Sequence, residues 1–270
     1  MKPAPIYMAF ALFTSSIACA GTMGSIPEPQ RFYIEIGSGI SFANQANPSV
    51  DLAYWSASTQ GYNNSLKPKP LYTAGLGYTI NDGLNIDVNY TFRGLYAYSK
   101  FQSGVSPSSV QNPLGARIRY MNLSSNAALF NASLDGGIYP ALVYAMGNHG
   151  SIQPFVGAGL GVSYNTFSNF HTILASSSDD IVVNTSIATS AIPDQTKASL
   201  AYQFNAGLEW KYERFSFDVG YRYFNAGQYT SNNYLLTSMS TGTPVTTTVS
   251  SPWTGTLSAN ELFFTAKAAF

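Results

Sequence analysis

Charge is scarce in this sequence. Asp, Glu, Lys and Arg make up only 10% of its 270 residues, whereas soluble domains carry roughly 25%. The 13 basic and 13 acidic residues balance, so nothing in the composition would attract nucleic acid, and we expect no such partner. Long apolar runs are also missing, because no internal stretch approaches the roughly 18 residues of a membrane-spanning helix. Aromatic residues, by contrast, reach 14%, and together these features favour a membrane protein built from strands.

Cysteine and histidine are nearly absent as well. The chain has one cysteine, Cys19, and two histidines, His149 and His171. Once an N-terminal export signal is removed, no cysteine remains for a disulfide, a thiolate metal site or a nucleophile. Neither histidine forms a spaced metal-ligand pair, and we expect no cofactor. His171 shares a predicted loop with Asp179 and Asp180, but an ordinary polar loop explains this group, so we predict that the protein is not an enzyme.

The first twenty residues have the pattern of that export signal. A lysine precedes the apolar stretch 6–17, which is too short to span a membrane, and Ala18-Cys19-Ala20 forms an A-x-A cleavage site. We therefore predict cleavage after Ala20. A lipoprotein signal, with Cys19 lipidated, is the alternative, although Ser16 stands where a bulky aliphatic residue is expected.

Eight segments alternate apolar and polar residues with the period of two typical of a β-strand. In LNIDVNYTFRG, for example, Ile86 and Val88 belong to the apolar row, and Asp87 and Arg93 to the opposite row. Within the strong segments, every charge falls in the polar row, and so do the glycines Gly37, Gly39, Gly75, Gly77, Gly157, Gly159, Gly161, Gly207 and Gly220. The segments are residues 32–41, 71–80, 84–94, 126–134, 152–164, 199–212, 215–224 and 261–270.

Short and long connections alternate between these segments. Tight turns at 81–83 and 213–214 join the second to the third segment and the sixth to the seventh. Roughly thirty residues separate the first from the second, the third from the fourth, the fifth from the sixth and the seventh from the eighth. The predicted fold is all-β: an eight-stranded antiparallel transmembrane β-barrel with four long outer loops and short periplasmic turns.

Three features leave the number or length of the strands open. Residues 181–187 could form a hairpin, so a ten-stranded barrel is the alternative, and residues 117–123 could lengthen the fourth strand. The connection 136–151 is long and apolar where a short turn is expected. It is either an elaborated periplasmic turn or an extension of the flanking strands.

Three short motifs resemble a known family. They are QPFVGAGLG at 153–161, AGTMG after the predicted signal, and the terminal Phe270 with its alternating apolar residues. The chain resembles small bacterial outer-membrane β-barrels of the outer-membrane protein A membrane-domain type. The resemblance covers essentially the whole mature chain and implies a closed or narrowly conducting lumen. We therefore divide the sequence into a signal peptide at 1–20, a short leader at 21–31 and a barrel at 32–270. It also implies an outer-membrane location among lipid and lipopolysaccharide. In this class Phe270, Phe264 and Leu262 resemble the signal read by the barrel-assembly machinery.

The polar row should place many charges inside the barrel. An isolated buried charge is costly and a paired one is tolerable, so we expect one internal network, with Glu209 paired to Lys211 and Asp218 to Arg222. Its members would be Glu35, Asp87, Arg93, Glu209, Lys211, Asp218, Arg222, Glu261 and Lys267. Because the interior of an eight-stranded barrel is just wide enough for its own side chains, we expect a largely plugged polar lumen.

Three functions are open at this point. The favoured one is a structural or surface-interaction role, in which the outer loops meet an unidentified surface ligand. A small pore or channel is the alternative, with the lumen charges acting as a gate or proton path. An outer-membrane enzyme, a protease or a lipid-modifying enzyme, is the least favoured.

Overall fold

A computed structural model of the chain describes residues 31–44, 66–102, 117–174, 194–232, 234–240, 243–249 and 252–270. The predicted cleavage site at Ala18 and Ala20, Cys19 and the candidate hairpin 181–187 lie outside the described residues. Within them, no helix is both long and apolar enough to cross a membrane. In chain order the strands are β1 (Phe32–Ala43), β2 (Lys69–Asn81), β3 (Leu84–Arg93), β4 (Tyr96–Gln102), β5 (Arg117–Asp135), β6 (Tyr144–Ala145), β7 (Ser151–Leu174), β8 (Gln195–Tyr212), β9 (Phe215–Thr230), β10 (Tyr234–Ser240), β11 (Thr243–Val249) and β12 (Thr254–Ala269).

Eight of these strands close into an antiparallel barrel. The order around it is β1, β2, β3, β5, β7, β8, β9 and β12, and β12 pairs back with β1. The predicted eight-stranded barrel is confirmed, and the ten-stranded alternative is wrong. Of the shorter strands, β4 continues from β3 along the same partner β5, β6 pairs with β7, and β10 and β11 form a separate hairpin.

The two ends of the barrel differ in their connections. One end, which we call the turn end, holds the tight β2–β3 and β8–β9 turns and both termini of the barrel. There the Ala269 amide donates to the Arg214 carbonyl and the Phe270 amide donates to the Phe32 carbonyl, each at 2.8 Å. The opposite end, the loop end, receives the long connections. The β1–β12 seam thus closes beside the β8–β9 turn.

Residues 136–150 form an elaborated turn at the turn end. Three 3-10 turns, at Gly136–Ile138, Pro140–Leu142 and Gly147–His149, surround β6. The apolar side chains of Tyr139, Leu142 and Tyr144 are exposed. Of the two interpretations of this connection, the elaborated periplasmic turn is therefore right, and the extension of the flanking strands is wrong.

In the turn-end half of the barrel, most apolar side chains face outward and polar ones face inward, with Tyr33, Phe155 and Phe263 as buried aromatic exceptions. The inward row there includes buried Glu35, Asn89 and Gln153. Exposed outward residues include Ile34, Ile36, Leu76, Val88, Phe130, Val156, Leu160, Leu208, Val219, Leu262 and Phe264. A surface this apolar requires an apolar surrounding rather than water.

In the loop-end half this arrangement is reversed. On β7, the outward row contains apolar Leu160 in the turn-end half and polar Thr166 in the loop-end half. The inward row contains Gly159 in the turn-end half and buried Phe167 in the loop-end half. The buried residues of this half form one apolar cluster, which we call the apolar plug: Leu66, Tyr96, Tyr98, Met121, Leu123, Ala127, Leu129, Phe167, Phe170, Ala201, Phe224, Ala226, Tyr229, Trp253 and Leu257. The predicted polar lumen is therefore correct for the turn-end half and wrong for the loop-end half. The reason is that the strands extend beyond the apolar surrounding. In the loop-end half the outward side chains are therefore polar and the apolar ones pack inside.

Candidate functional site: the barrel interior

All nine charges predicted for the lumen lie on the barrel strands, where they form three groups rather than one network. Among the described residues, these groups contain five ion pairs in which a side-chain nitrogen lies within 3.5 Å of a carboxylate oxygen. The groups are the arginine cluster, Arg93, Arg222 and Glu261; the lysine cluster, Lys211, Lys267, Glu209 and Asp218; and the carboxylate pair, Glu35 and Asp87.

The arginine cluster lies directly below the apolar plug. Glu261 accepts from Arg93 Nε at 2.6 Å and from Arg222 Nε at 2.7 Å. Ser41 donates its hydroxyl to the same carboxylate at 2.8 Å and accepts from the Tyr96 hydroxyl at 2.6 Å. All of these side chains are buried. One carboxylate therefore holds two guanidinium groups in a site that excludes bulk water.

The lysine cluster closes the turn-end mouth. Lys267 lies 2.7 Å from Asp218 and 3.5 Å from Glu209. Lys211 bridges Glu209, at 3.4 Å, and Asp135, at 2.7 Å. Asp135 was missing from the predicted network because the fourth predicted segment, 126–134, ends one residue before this aspartate. The same inward row continues through Asn131 to Asp135, and this periodicity could have included it.

The partners inside the clusters differ from part of the sequence prediction. Glu209 does contact Lys211, but the expected pairing of Asp218 with Arg222 is wrong. Asp218 contacts Lys267 and Arg222 contacts Glu261. The physical reason is distance, because two positions four residues apart on one strand are separated by about 13 Å. Each residue instead pairs with the strand beside it.

The carboxylate pair has no ion-pair partner among the described basic residues. Asn89 donates its side-chain amide to Glu35 and to Asp87, at 3.2 Å each. Asn131 donates to Asp87 at 2.5 Å, and Gln203 donates to Asn131 at 2.7 Å. Two acidic groups are thus held together by amides alone.

A cavity of about 40 Å³ lies between the arginine and lysine clusters. Its lining includes Glu35, Asp87, Asp218, Arg222 and Lys267. Since one water requires roughly 10–15 Å³ of such space, the cavity has room for a few waters or a small ion.

The apolar plug fills the interior above these groups. The rings of Phe170 and Trp253 have centroids 5.3 Å apart, and those of Phe167 and Phe170 are 5.9 Å apart. The Arg93 guanidinium lies 3.5 Å from the Phe224 ring centroid, which joins the plug to the arginine cluster. Burial raises the pKa of Tyr98, on β4, to about 12, so its hydroxyl stays neutral within the plug.

The histidines lie at opposite ends of the barrel. His149 is in the elaborated turn, where its carbonyl accepts from Trp210 at 2.9 Å. His171 belongs to β7, where it pairs with Tyr120, so its expected place in a loop is wrong. Asp179 and Asp180, its candidate catalytic partners, lie outside the described residues.

The three residues of the predicted assembly signal lie at or near the closing seam. Leu262 and Phe264 face outward on β12 and are exposed. Phe270 is also exposed, and its ring centroid stacks 6.4 Å from that of Phe32.

Residues 16–242 match the outer membrane protein beta-barrel domain. The chain belongs to this family. The resemblance noted in its motifs is thereby confirmed. This outer-membrane barrel lies in the bacterial outer membrane, with lipid against its outward apolar rows and the short turns on the periplasmic side.

Solved structures with a similar arrangement have little sequence in common with this outer-membrane barrel. Neisserial surface protein A is 14% identical, with 88% of this chain and 97% of that chain covered and a TM-score of 0.40. OprG from Pseudomonas aeruginosa is 13% identical, with 88% and 95% covered and a TM-score of 0.43. The outer membrane protease OmpT from Escherichia coli is 10% identical, with 92% and 99% covered and a TM-score of 0.39. No curated protein matches the sequence.

Proposed function

We propose that this protein is a closed, non-enzymatic outer-membrane barrel with a structural or surface-interaction role. The observation that carries the proposal is the filling of the described interior. The apolar plug, the arginine cluster and the lysine cluster follow one another along the barrel axis, and the space between the two clusters amounts to about 40 Å³. Such an interior supports a scaffold for the outer loops better than it supports a conduit.

The length of the strands supports a role outside the membrane. β7 has 24 residues and β5 has 19, whereas about 9–11 residues span a bilayer as a tilted strand. The loop-end half therefore extends into the layer occupied by lipopolysaccharide, with its polar row outward. The loops that it carries would meet lipopolysaccharide or an unidentified surface ligand.

The proposal includes export and assembly. A signal peptide at 1–20 would be removed after Ala20, leaving the leader 21–31 and the barrel 32–270. Phe270, with Phe264 and Leu262, would then be read by the barrel-assembly machinery. Cleavage would explain the export pattern of the first twenty residues, and recognition by the assembly machinery would explain the aromatic residue at position 270.

Single-channel recording in planar bilayers tests the closed barrel. We expect the purified protein to insert without steady conductance steps, because ions would have to cross the apolar plug. Regular steps of constant size would overturn the proposal and favour the small pore. Binding of the same preparation to immobilised lipopolysaccharide, compared with binding of a variant that lacks residues 234–249, tests the role of the β10–β11 hairpin.

A further inference from the structure

The described interior carries more acidic than basic side chains. Six carboxylates face four basic groups, which leaves two formal negative charges uncompensated. The acidic residues are Glu35, Asp87, Asp135, Glu209, Asp218 and Glu261, and the basic residues are Arg93, Lys211, Arg222 and Lys267. Buried charges without counter-charges are costly, so this surplus requires an explanation.

The surplus is concentrated at the carboxylate pair. Glu35 lies directly opposite Lys267 across the β1–β12 seam, yet the lysine contacts Asp218 and Glu209 instead. The Glu35 carboxylate lies over Gly75, with Oε1 at 2.7 Å from the position that a Cβ would occupy. It thus extends towards Asn89 and Asp87, a group of its own charge.

Unpartnered oxygen atoms line the same cavity. Asn89 Oδ1, Gln203 Oε1 and Asp218 Oδ1 have no hydrogen-bond donor from the protein, and their residues are only 7%, 1% and 4% exposed. The orientation of the Asn89 amide is fixed because its nitrogen donates to both carboxylates. The oxygen therefore cannot be exchanged for the nitrogen without placing two acceptors against each other.

We propose that this cavity binds one hard cation, such as Na⁺ or Ca²⁺. Glu35 and Asp87 would supply the charge, and neighbouring amide oxygens and water would complete the shell. Hard cations prefer carboxylate and amide oxygens. The cavity lining contains no Cys, His or Met, and no three His, Cys, Asp or Glu side chains of the described ranges come together in a metal-binding group. Arg222 and Lys267 also line the cavity, but Arg222 is paired with Glu261, and Lys267 with Asp218 and Glu209. The donor set left for a cation is therefore two carboxylates with neutral oxygens, which does not suit a soft transition metal.

Cation-dependent thermal unfolding of the folded barrel in detergent tests this site. The midpoint would be measured at constant ionic strength while choline chloride is replaced by NaCl, KCl, MgCl₂ or CaCl₂. Choline is too large for a cavity of about 40 Å³. We expect a saturable rise in the midpoint with at least one small cation and none with choline, and the arms distinguish a monovalent from a divalent ion. Retention of ²²Na⁺ or ⁴⁵Ca²⁺ by the wild-type protein provides a direct measurement.

Three variants assign the effect to the cavity. Glu35→Gln and Asp87→Asn should each abolish the saturable rise, while Asp82→Asn, which removes the same charge from the exposed β2–β3 turn, should retain it. A midpoint that follows ionic strength alone would mean that only water fills the cavity and would overturn the proposal. So would a midpoint that ignores cations but rises on acidification in a Glu35-dependent way, because the pair would then share a proton instead.

Discussion

Arg93 and Glu261 meet across the barrel interior through two contacts, Nε to Oε1 at 2.6 Å and Nη2 to Oε2 at 3.2 Å. β3 and β12, which carry them, are separated around the wall by β1 and β2. The pair therefore braces opposite parts of the wall at the level where the apolar plug meets the polar half. Arg222 binds the remaining side of the same carboxylate.

Replacing Glu261 by Gln should strongly destabilise the barrel. The change leaves two buried guanidinium groups without a counter-charge, which costs on the order of 3–5 kcal/mol of unfolding free energy. Urea unfolding in lipid vesicles, followed by tryptophan fluorescence, measures this loss. Glu213→Gln in the exposed β8–β9 turn is the matched control, and equal stability of the two variants would contradict the assigned role.

Replacing Arg222 by Ala should open part of the interior. Its guanidinium borders the cavity and contacts Glu261, so its removal enlarges the space between the two clusters and leaves Glu261 with Arg93 as its remaining arginine partner. We expect lower stability, whereas steady conductance should remain absent because the apolar plug still fills the loop-end half. Thr248→Ala, in the β10–β11 hairpin, is the control and should change neither stability nor conductance. A wild type that conducts steadily, with a variant that differs in neither property, would refute the plugged interior.

Gly39→Ala should damage the closing seam. A Cβ at this position would lie 2.2 Å from the Leu262 carbonyl oxygen and 2.9 Å from the Phe263 Cα. Since both atoms are backbone, β1 and β12 would have to separate, at a cost of about 1–3 kcal/mol. The fraction that migrates as the folded form on unheated gels measures the effect. Ser38→Ala, on the exposed outward row, should fold normally, and similar folding of Gly39→Ala would show that the seam tolerates the methyl group.

Deleting Phe270 should impair assembly in cells more than folding in detergent. Its side chain is 64% exposed, so packing alone predicts a small loss. If the terminal residue is an assembly signal, outer-membrane insertion falls while refolding of the purified chain is nearly unchanged. Phe32→Ala removes the stacking partner and keeps the terminus. Full insertion of the deletion variant would reject the signal.

The mature protein should begin at Gly21. This expectation follows from the Ala18-Cys19-Ala20 cleavage pattern. Mass spectrometry of the protein purified from outer membranes determines the N-terminus. A diacylglyceryl group on Cys19 would establish the lipoprotein alternative.

The strands of the membrane-embedded half could be predicted because lipid imposes a simple rule on each of them. Phe130 and Leu134 face outward, as the weak fourth segment already indicated. The loop-end half was missed because the rule reverses there. On β5 the apolar residues change from even positions, such as Ala128 and Phe130, to odd ones, such as Met121 and Leu123. This change of parity was present in the sequence and signals a strand that leaves the bilayer.

Most members of the charged interior were predictable, with Asp135 as the exception, but their pairing was predictable only for Glu209 and Lys211. Strand periodicity places Asp218 and Lys267 in the inward row, and neighbouring strands bring them together. It does not determine which way a long side chain turns. Lys267 could reach Glu35 on one side or Asp218 on the other, and the choice depends on rotamers and on the glycines that leave space beside them.

The reversal of polarity along the barrel gives its interior two successive filters with opposite preferences. A hydrated ion coming from outside would have to shed its water among Phe170, Trp253 and the other rings of the plug. An apolar solute that passed the rings would then reach the Arg93–Glu261–Arg222 salt bridges and lose the environment that admitted it. Each layer would therefore oppose the class of solute that the other tolerates, and a barrel filled in this way would exclude both.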